Sequence, residues 1–589
     1  GLTWGPQPAT HSHCCFGGML GNNCGGMRAQ MNGIAVQNVE ALDVVLYDGT
    51  RLHAGWMREE DLAGAIRRGG AEGALLSRLR ALRDRWAERI RRGYPKIPRR
   101  VSGYNLDQLL PGPDGRFNLG RVLVGSEATL VTMLEATLQL LPDPPRHVVV
   151  VLGYRDIFEA AEAAHTFLEF RPLALEGMDD ILRRQLAEMD AEHAERVKCL
   201  SDGNAWLMIE LGAATESEAR ARAEALVRRA GSSIVDFRIY PEPAQQHALW
   251  EAREGGLGAT AFVPGSPDAW PGWEDSAVAP ERLGAYLRDL RRLYDSYDYH
   301  PALYGHFGMG LIHCRVPFDL YTSGGVEKFR RFMSDAADLV VSYGGSLSGE
   351  HGDGQARAEL LVKMFGPELM EAMRELKAIF DPFHRMNPGK IVEPYPIVDH
   401  LRLGPAYRPA QPETHFRFPE DDGSLARATL RCVGIGRCRR KHGEGEDHHD
   451  VMCPSYMVTL EEEHSTRGRA HLLWEMLRRD GPVTEGWRDD GVKHALDLCL
   501  SCKGCKGDCP VNVDLATYKA EFLAHYWKGR LRPRHAYAFG YIDKWARLAA
   551  RLPGLVNLLT QTPGASALMK VLAGISLESK IPAFAPQTF

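Results

Sequence analysis

One stretch near the carboxyl end decides the fold of that part of the chain: Cys499-Leu-Ser-Cys502-Lys-Gly-Cys505-Lys-Gly-Asp-Cys509-Pro510. Its spacing, C-x2-C-x2-C-x3-C-P, is typical of segments that hold [4Fe–4S] clusters. Three thiolates at three-residue steps can ligate one cluster, and the fourth, which precedes a proline, turns toward a second cluster. Zinc sites usually pair two separate C-x2-C knuckles instead. The stretch therefore predicts an iron–sulfur domain built from short helices.

Three further cysteines precede this stretch and decide how many clusters the domain holds. One of them also precedes a proline and completes the first cluster, whose ligands are then Cys453, Cys499, Cys502 and Cys505. Only three thiols remain for a second site: Cys432, Cys438 and Cys509. They could hold a labile cluster, a cluster with one non-cysteine ligand, or nothing. The histidines between the two groups lie among acidic residues and indicate a solvated loop: His442, His448 and His449.

The composition excludes several classes of protein. Of the 589 residues, 44% are hydrophobic and 25% are charged, which excludes disorder, collagen and coiled coil. The net charge of −5 argues against a nucleic-acid partner, and no apolar run of about 20 residues predicts a membrane span. The clustering of seven cysteines in one segment favours metal ligation in a reducing compartment over disulfides. We expect a cytoplasmic protein, or one bound peripherally at the inner face of the membrane, and the oligomeric state stays open.

Hydrophobic periodicity predicts the elements of the first two thirds of the chain. Residues 39–46 form a strand that ends at a turn, residues 72–97 form an exposed helix, and residues 121–127 run from a strand through a turn toward a helix. Strands and helices then alternate from about 145 to 395. Two βαβ-like units are predicted there, with strands at 147–152 and 206–211 and helices at 160–170 and 216–229.

The density of Gly and Asn in residues 5–26 lets a backbone approach a large ligand closely. Three segments carry a resemblance: Gly17-Gly18-Met-Leu-Gly-Asn22-Asn23, the strand from Asn38, and Val124-Gly125-Ser-Glu127-Ala-Thr129. They resemble the FAD-linked oxidases of the vanillyl-alcohol-oxidase type, especially the flavin and iron–sulfur fusions of the D-2-hydroxyglutarate and D-lactate dehydrogenase kind. Residues 98–107 are also similar to a stretch in those fusions. The resemblance implies FAD, with contacts from Thr10, Gly17, Gly18, Asn22, Asn23, Gly125, Glu127 and Asn387. His11 and His13 could tether a flavin covalently, but we expect a hydrogen-bonding or packing role.

The resemblance also implies a domain order within an α+β fold. Residues 1–144 would be the C-terminal part of a PCMH-type FAD-binding domain, and residues 145–395 the FAD-linked oxidase C-terminal substrate domain, a ferredoxin-like α/β unit. A linker at 396–430 and an α-helical 4Fe-4S ferredoxin-type domain at 431–530 would follow, and then a helical tail at 531–589. The family's pyrophosphate loop would precede Gly1, and the fusions commonly continue into another cysteine-rich domain. We therefore expect a fragment that lacks both ends.

Two histidine motifs predict a metal site: Gly305-His306-Phe-Gly-Met309-Gly-Leu311-Ile-His313 and Gly349-Glu350-His351-Gly352-Asp-Gly354. Two neutral imidazoles and a carboxylate suit a divalent metal with an open coordination position, so we expect His306, His313 and Glu350 to bind one, zinc being our choice. Such a metal can bind a 2-hydroxy acid and lower the pKa of its hydroxyl group. Both motifs resemble signatures of the same family, as does Asn387-Pro-Gly-Lys390.

Two further residues are candidates for the chemistry. His351 is the candidate base for the hydroxyl proton. Arg253 lies in a segment that resembles the one whose arginine pairs with the substrate carboxylate, and a guanidinium can hold a carboxylate in bidentate fashion. The alternative for Arg253 is an ordinary ion pair on a helix surface.

These features predict an FAD-dependent D-2-hydroxyacid dehydrogenase. D-2-hydroxyglutarate, oxidised to 2-oxoglutarate, is the first candidate substrate, and D-lactate and glycolate follow. Electrons would leave through a [4Fe–4S] cluster to a quinone, an electron-transferring flavoprotein or a ferredoxin. A non-catalytic iron–sulfur subunit that uses only residues 431–530 is the rival hypothesis. A flavin enzyme for an aldonolactone or a phenol is disfavoured, because that chemistry needs no metal at the substrate.

Overall fold

The computed structural model describes residues 1–189, 191–263, 267–440, 451–478 and 481–585. Its helices and strands confirm the predicted α+β class. The three histidines of the predicted solvated loop, His442, His448 and His449, lie outside the described residues.

The amino-terminal part is built around a small antiparallel sheet of order β3-β2-β6, with two further strand pairs, β1 with β7 and β4 with β5. Its strands are β1 Leu2–Trp4, β2 Val39–Val45, β3 Arg51–Ala54, β4 Trp56–Arg58, β5 Arg116–Asn118, β6 Thr132–Leu138 and β7 Leu140–Pro142. Its helices are α1 Phe16–Asn22, α2 Ala29–Asn32, α3 Glu59–Arg68, α4 Gly70–Gly93 and α5 Leu119–Leu123. The predicted strand at 39–46 and the predicted helix at 72–97 are therefore confirmed, each within a few residues.

The strand predicted at the start of 121–127 is wrong. Helix α5 covers the first three of these residues and begins after Asn118, whose side chain accepts a hydrogen bond from the Arg121 N–H at 3.2 Å. Such a cap satisfies a backbone donor that a helix start otherwise leaves without a partner. A short apolar run does not distinguish a strand from a buried helix, and here the capping side chain decides.

The middle part contains a seven-stranded sheet of order β11-β8-β10-β9-β13-β14-β12. Every neighbouring pair in this sheet is antiparallel. The strands are β8 Arg146–Tyr154, β9 Ala174–Asp179, β10 Ala205–Ala213, β11 Asp236–Tyr240, β12 Asp275–Ala277, β13 Leu303–Gly305 and β14 Leu311–Cys314. The helices of this part are α6 Ile157–Ala164, α7 Asp180–Met189, α8 Ala191–Arg196, α9 Glu216–Ala230, α10 Pro243–Glu254, α11 Gly256–Ala259, α12 Leu283–Ser296, α13 Ser323–Ser342 and α14 Leu361–Phe380.

The two predicted βαβ-like units interlock within this sheet. β8, α6 and β9 form the first unit, and β10, α9 and β11 form the second. Strand β10 lies between the two parallel strands of the first unit, which gives the split arrangement of a ferredoxin-like fold. Every residue of β10 is buried, because this strand has sheet neighbours on both edges and is covered on both faces. The order brings β9, β13, β14 and β12 side by side, and these strands carry the polar residues described below.

The carboxyl-terminal part has a hydrophobic core of its own, which runs from Phe418 to Tyr526. Its helices are α15 Leu425–Leu430, α16 Pro454–Thr459, α17 Thr466–Leu477, α18 Asp490–Asp497, α19 Gly504–Asp508 and α20 Leu515–Tyr526. Helix α15 belongs to this core, although residues 396–430 were predicted to be a linker before the iron–sulfur domain. The position of that domain boundary stays a prediction. The tail forms α21 Arg534–Gly540, α22 Ile542–Ala549, α23 Pro553–Gln561 and α24 Pro563–Ala573, in agreement with its predicted helical character.

Candidate active site and iron–sulfur sites

The predicted metal site is assembled at one edge of the large sheet. His306 follows strand β13, His313 lies on β14, and Glu350 lies in the loop after α13. Asp275 on β12 pairs with His313 in the sheet, and one of its carboxylate oxygens accepts hydrogen bonds from the backbone N–H groups of Glu350 at 3.1 Å and His351 at 2.8 Å. This buried carboxylate therefore fixes the loop of Glu350 to the strand of His313, although these two residues are 37 positions apart in the sequence.

The imidazoles converge on a single oxygen atom. Oε1 of Glu350 lies 3.1 Å from Nε2 of His306 and 3.0 Å from Nε2 of His313. Nε2 of His351 lies 3.5 Å from the same oxygen. The structure thus brings the three predicted metal ligands together and adds the predicted base, His351, to the group.

The other nitrogen of each ring already has a partner. Nδ1 of His306 lies 2.6 Å from Oε1 of Glu176, and Nδ1 of His313 lies 3.1 Å from the carbonyl oxygen of Glu274. Nδ1 of His351 lies 3.3 Å from Oε1 of Glu274. Metal-binding histidines commonly donate their second N–H to a carboxylate or a carbonyl in this way, which leaves Nε2 free to bind the metal. Asp275, His313, Glu350 and His351 each offer a ligand atom within 4.8 Å of the others, so this group could hold a divalent cation, and His306 is not part of it.

Sequence reasoning missed Arg99, which is fully buried beside this group. Its guanidinium lies 2.5 Å from Oε2 of Glu350 and also bonds the carbonyl oxygen of Gly26. The N–H of Gly26 donates to the same carboxylate oxygen at 3.0 Å. One oxygen of Glu350 is thus held by the amino-terminal part of the chain, while the other faces the imidazoles. The similarity of residues 98–107 to a family stretch was the available signal.

The charges of the site shift the pKa of its members in different directions. Burial opposes ionisation of Glu350, but His306 and Arg99 outweigh it and lower the pKa of the carboxyl group well below its usual range. Burial also opposes protonation of His306, yet Glu176 and Glu350 raise its pKa. For His313 burial dominates and lowers the pKa. The pKa of His351 is raised, since Asp275 and Glu274 outweigh its burial.

Arg253 is connected to this site through Glu176. Its guanidinium is buried, lies 2.8 Å from Oε2 of Glu176, and lies over the ring of Tyr304 at 4.9 Å. The other oxygen of Glu176 holds His306. The alternative of an ion pair on a helix surface is therefore wrong, because both partners are buried. The Nε atom of Arg253 has no hydrogen-bond partner among the described residues.

The predicted FAD contacts lie on two neighbouring segments. Gly17, Gly18 and Asn22 are on helix α1, so this part of the glycine-rich segment is helical rather than a loop, and Thr10 lies in a turn before it. The segment of α1 meets the turn at residues 125–128 where the N–H of Gly125 donates to the carbonyl of Leu20 at 2.8 Å. A side chain added at Gly17 or at Gly21 would meet nothing within 4 Å. This bare backbone fits the close approach of a large ligand.

The other predicted FAD contacts are used within the protein. The side-chain amide oxygen of Asn23 accepts the N–H of Val36 at 2.9 Å. Asn387 donates to the carbonyl of Glu127 at 2.7 Å, and the Glu127 carboxylate accepts the N–H of Asp353 at 2.8 Å. Glu127 thereby joins the 125–128 turn to the loop that carries His351.

The cysteines surround two separate cavities in the carboxyl-terminal part. One cavity is lined by the four predicted ligands of one cluster, Cys453, Cys499, Cys502 and Cys505. A second cavity is lined by Cys432, Cys438 and Cys509. The structure thus groups all seven cysteines as their spacing predicts, around two separate cavities.

Helix α17 directs its first N–H groups at both cavities. The N–H of Thr466 donates to the sulfur of Cys453 at 3.0 Å, and the N–H of Arg467 donates to the sulfur of Cys438 at 3.3 Å. The start of a helix carries a partial positive charge, which stabilises thiolates. Thr466 lines both cavities.

In the described part of the chain we find no helix with the length and apolarity that a membrane crossing requires.

Comparison with known proteins reveals relatives along nearly the whole chain. The D-2-hydroxyglutarate dehydrogenase of Pseudomonas putida is 29% identical over 98% of this chain and 60% of its own length, and that of Escherichia coli K12 is 26% identical over 96% and 59%. The chain thus spans about 60% of these curated relatives. A glycolate oxidase subunit of Bacillus subtilis is 26% identical over 66% of this chain and 71% of its own. Among solved structures, a 4-ethylphenol oxidase from Gulosibacter chungangensis shares 13% identity and a TM-score of 0.42 over 64% of this chain and 70% of that one.

Family models divide the chain in the predicted order. Residues 1–55 match an FAD binding domain, residues 143–391 match the C-terminal domain of FAD linked oxidases, and residues 420–513 match a 4Fe-4S dicluster domain. The chain therefore carries, in this order, segments similar to an FAD binding domain, to the C-terminal domain of FAD linked oxidases and to a 4Fe-4S dicluster domain.

Proposed function

We propose that this chain is the catalytic part of an FAD- and iron–sulfur-dependent dehydrogenase of D-2-hydroxy acids. One observation carries the proposal: three imidazole Nε2 atoms surround one oxygen of Glu350 at 3.0–3.5 Å, within an FAD-linked oxidase domain. Imidazoles held by carboxylates and carbonyls on their far side form a preorganised cation site rather than a set of ordinary core histidines. A non-catalytic iron–sulfur subunit has no need of this arrangement.

The relatives support the substrate class. Four D-2-hydroxyglutarate dehydrogenases are 25–29% identical to this chain over 96–98% of its length. Glycolate oxidase subunits and a D-lactate dehydrogenase are similar over 66–67% of it. All three named substrates are 2-hydroxy acids. D-2-hydroxyglutarate is our first candidate, with 2-oxoglutarate as its product, and D-lactate and glycolate are the alternatives.

His306, His313 and Glu350 would hold a divalent metal, and zinc suits two imidazoles and a carboxylate. When bound, the metal lowers the pKa of a hydroxyl group that it coordinates. His351 is our candidate base for the hydroxyl proton: its ring lies beside the same carboxylate at 3.5 Å, and a bound cation would oppose the charged imidazolium that its raised pKa favours in the metal-free site. Glu274 orients the ring from the far side, in the way that a carboxylate orients a catalytic imidazole in other enzymes.

Arg253 would bind the substrate carboxylate. Glu176 uses one of its oxygens to hold this guanidinium and the other to hold His306, so the anion-binding and metal-binding groups are kept in a fixed relation. The orphaned Nε of Arg253 is a donor that a carboxylate could satisfy.

FAD, held by the bare face of α1 and the 125–128 turn, would accept the hydride from the substrate carbon. Four cysteines would hold a [4Fe–4S] cluster that passes electrons singly to an external carrier: Cys453, Cys499, Cys502 and Cys505. Cys502 is exposed, which places this site next to the surface where a carrier can approach.

An anaerobic visible spectrum tests the proposal. The chain is reconstituted with FAD, iron, sulfide and Zn²⁺, and D-2-hydroxyglutarate, its L isomer, D-lactate and glycolate are added in turn. Bleaching of the flavin band by a D-2-hydroxy acid, lost in a Glu350→Gln variant that still binds FAD, would support the assignment. A bound flavin that none of these acids reduces would refute it and favour the electron-transfer subunit.

A further inference from the structure

The loop from Cys432 to Cys438 has the length of a complete cluster-binding loop but lacks its middle cysteine. In the intact loop, cysteines stand at 499, 502 and 505. The same three-residue steps from Cys432 lead to Ile435 and then to Cys438. The sequence Cys432-Val-Gly-Ile435-Gly-Arg-Cys438 is therefore a C-x2-C-x2-C loop in which isoleucine occupies the middle ligand position.

The backbone supports this alignment independently of the spacing. In the intact loop the residues on either side of the middle cysteine, Ser501 and Lys503, have positive φ angles of 54° and 62°. In the upstream loop the residues on either side of Ile435, Gly434 and Gly436, have positive φ angles of 82° and 85°. The conformation that wraps a chain around a cluster is thus kept at Ile435, where glycines adopt it without strain.

The cavity around the three thiols is no smaller than the one around the four thiols, since each measures about 20 Å³. Ile435 lines it together with the three cysteines, and its carbonyl oxygen is bound by Nε2 of His13 at 2.8 Å. The N–H of Arg467 still donates to the sulfur of Cys438. The cavity is therefore lined by three thiols and by the start of α17, and an apolar side chain stands where a fourth ligand would be expected.

We propose that this second site holds a three-iron cluster, [3Fe–4S], ligated by Cys432, Cys438 and Cys509. A cube with one corner iron removed needs one ligand for each of its three irons, and three thiolates supply them. The apolar side chain of Ile435 would offer no ligand to a fourth iron. The inference rests on the 4Fe-4S domain match and on the cavity, not on the substrate assignment.

The test is iron content and low-temperature EPR of the anaerobically purified and reconstituted chain, without substrate. We expect about seven irons per chain, four from one site and three from the other. An oxidised [3Fe–4S] cluster has an unpaired electron, whereas an oxidised [4Fe–4S]²⁺ cluster is diamagnetic. The untreated protein should therefore show a signal that dithionite removes.

An Ile435→Cys variant provides the decisive comparison. It restores the middle thiol, so the iron content should rise to about eight and the signal of the oxidised protein should disappear. The matched control is Val458→Cys, which adds a thiol at an exposed position of the same domain that lines neither cavity, and which should keep about seven irons and the signal. Cys432→Ser should lose the signal and leave about four irons.

Three results would overturn the proposal. Eight irons and no signal in the unaltered chain would show a second [4Fe–4S] cluster with a non-cysteine ligand. Four irons and no signal would show an empty site. A signal that persists at full strength in Ile435→Cys would show that it comes from a damaged cluster elsewhere. None of these readouts uses a hydroxy acid, so a failure here is distinguishable from a failure of the proposed function.

Discussion

At the scale of single residues, Glu274 contacts two histidines of the site. Its carboxylate holds Nδ1 of His351 at 3.3 Å, and its backbone carbonyl accepts Nδ1 of His313 at 3.1 Å. Arg315 is its cationic neighbour at 3.8 Å. The side chain is fixed from both sides, which orients the proposed base without touching the substrate.

Changing Glu274→Gln should slow flavin reduction about 10- to 100-fold, the range typical of residues that position a metal-site histidine. The backbone carbonyl remains, so the metal affinity should change much less than the rate. Stopped-flow flavin reduction and a Zn²⁺ titration measure the two quantities. The control is Glu281→Gln, an exposed glutamate of the same segment. Equal losses of rate and of metal affinity would contradict a positioning role.

Asp179 predicts a pH dependence of stability. This buried carboxyl accepts the N–H groups of Leu182 and Leu303 at 2.9 Å each, and burial raises its pKa to about 6. A raised pKa favours the folded state when the group is protonated. The contribution of Asp179 to the stability of the folded protein is therefore full below about pH 4, where the unfolded chain is protonated too. This contribution is lost as the pH rises through 6.

Between pH 4 and pH 7 the unaltered protein should lose up to about 3 kcal/mol of stability from this group, and Asp179→Asn should not. Urea unfolding at the two pH values measures the difference. The exposed Asp202→Asn serves as control. A parallel pH dependence of the unaltered protein and the Asp179→Asn variant would contradict the assignment.

At the scale of elements, helix α17 joins the two iron–sulfur sites. Its cap is Ser465, which accepts the N–H of Gly468 at 2.9 Å, and its next two N–H groups donate to one sulfur in each cavity. The hydroxyl of Thr466 adds a second contact to Cys453 at 2.8 Å. Hydrogen bonds to cluster sulfurs stabilise the more negative, reduced state and so set the reduction potential.

A Thr466→Val variant should therefore lower the reduction potential of the four-cysteine cluster without loss of iron. The backbone N–H remains, so the change isolates the hydroxyl group. An EPR-monitored redox titration measures the potential, and the three-cysteine site is the internal control because its own donor, Arg467, is untouched. An unchanged potential, or an equal shift at both sites, would contradict the prediction.

At the scale of the whole molecule, His13 joins the FAD-binding segment to the iron–sulfur domain. Its ring lies 2.8 Å from the Ile435 carbonyl and packs against Gly436. This contact places the three-cysteine site next to the flavin-binding segment, while the exposed Cys502 belongs to the other site.

In a His13→Phe variant, the substrate should reduce the flavin at an unchanged rate. The passage of electrons from the flavin to the clusters should be several-fold slower, because the ring of His13 fixes the spacing of the two domains. Rapid-mixing spectra separate the flavin and iron–sulfur absorbance changes. The control is His53→Phe, an exposed histidine of the same amino-terminal part. Slower flavin reduction with normal onward transfer would contradict this role.

Local sequence determined much of this protein. Cysteine spacing assigned the thiols to two groups, because cluster geometry fixes how far apart successive ligands stand. The buried strands β8 and β10 followed from their apolar runs, and two histidine motifs supplied the ligands of the proposed metal site. Each of these is a short-range pattern that needs no knowledge of the rest of the chain.

The tertiary structure decided what surrounds those residues. The antiparallel order β9-β13-β14-β12 brings Glu176 and Glu274 to the histidines, and Arg99 reaches them from a loop outside this sheet. The same holds for His13 beside Ile435, a contact between residues 422 positions apart. Buried charges take their partners from wherever the sheet places them, so their pairing depends on long-range packing that no local pattern records.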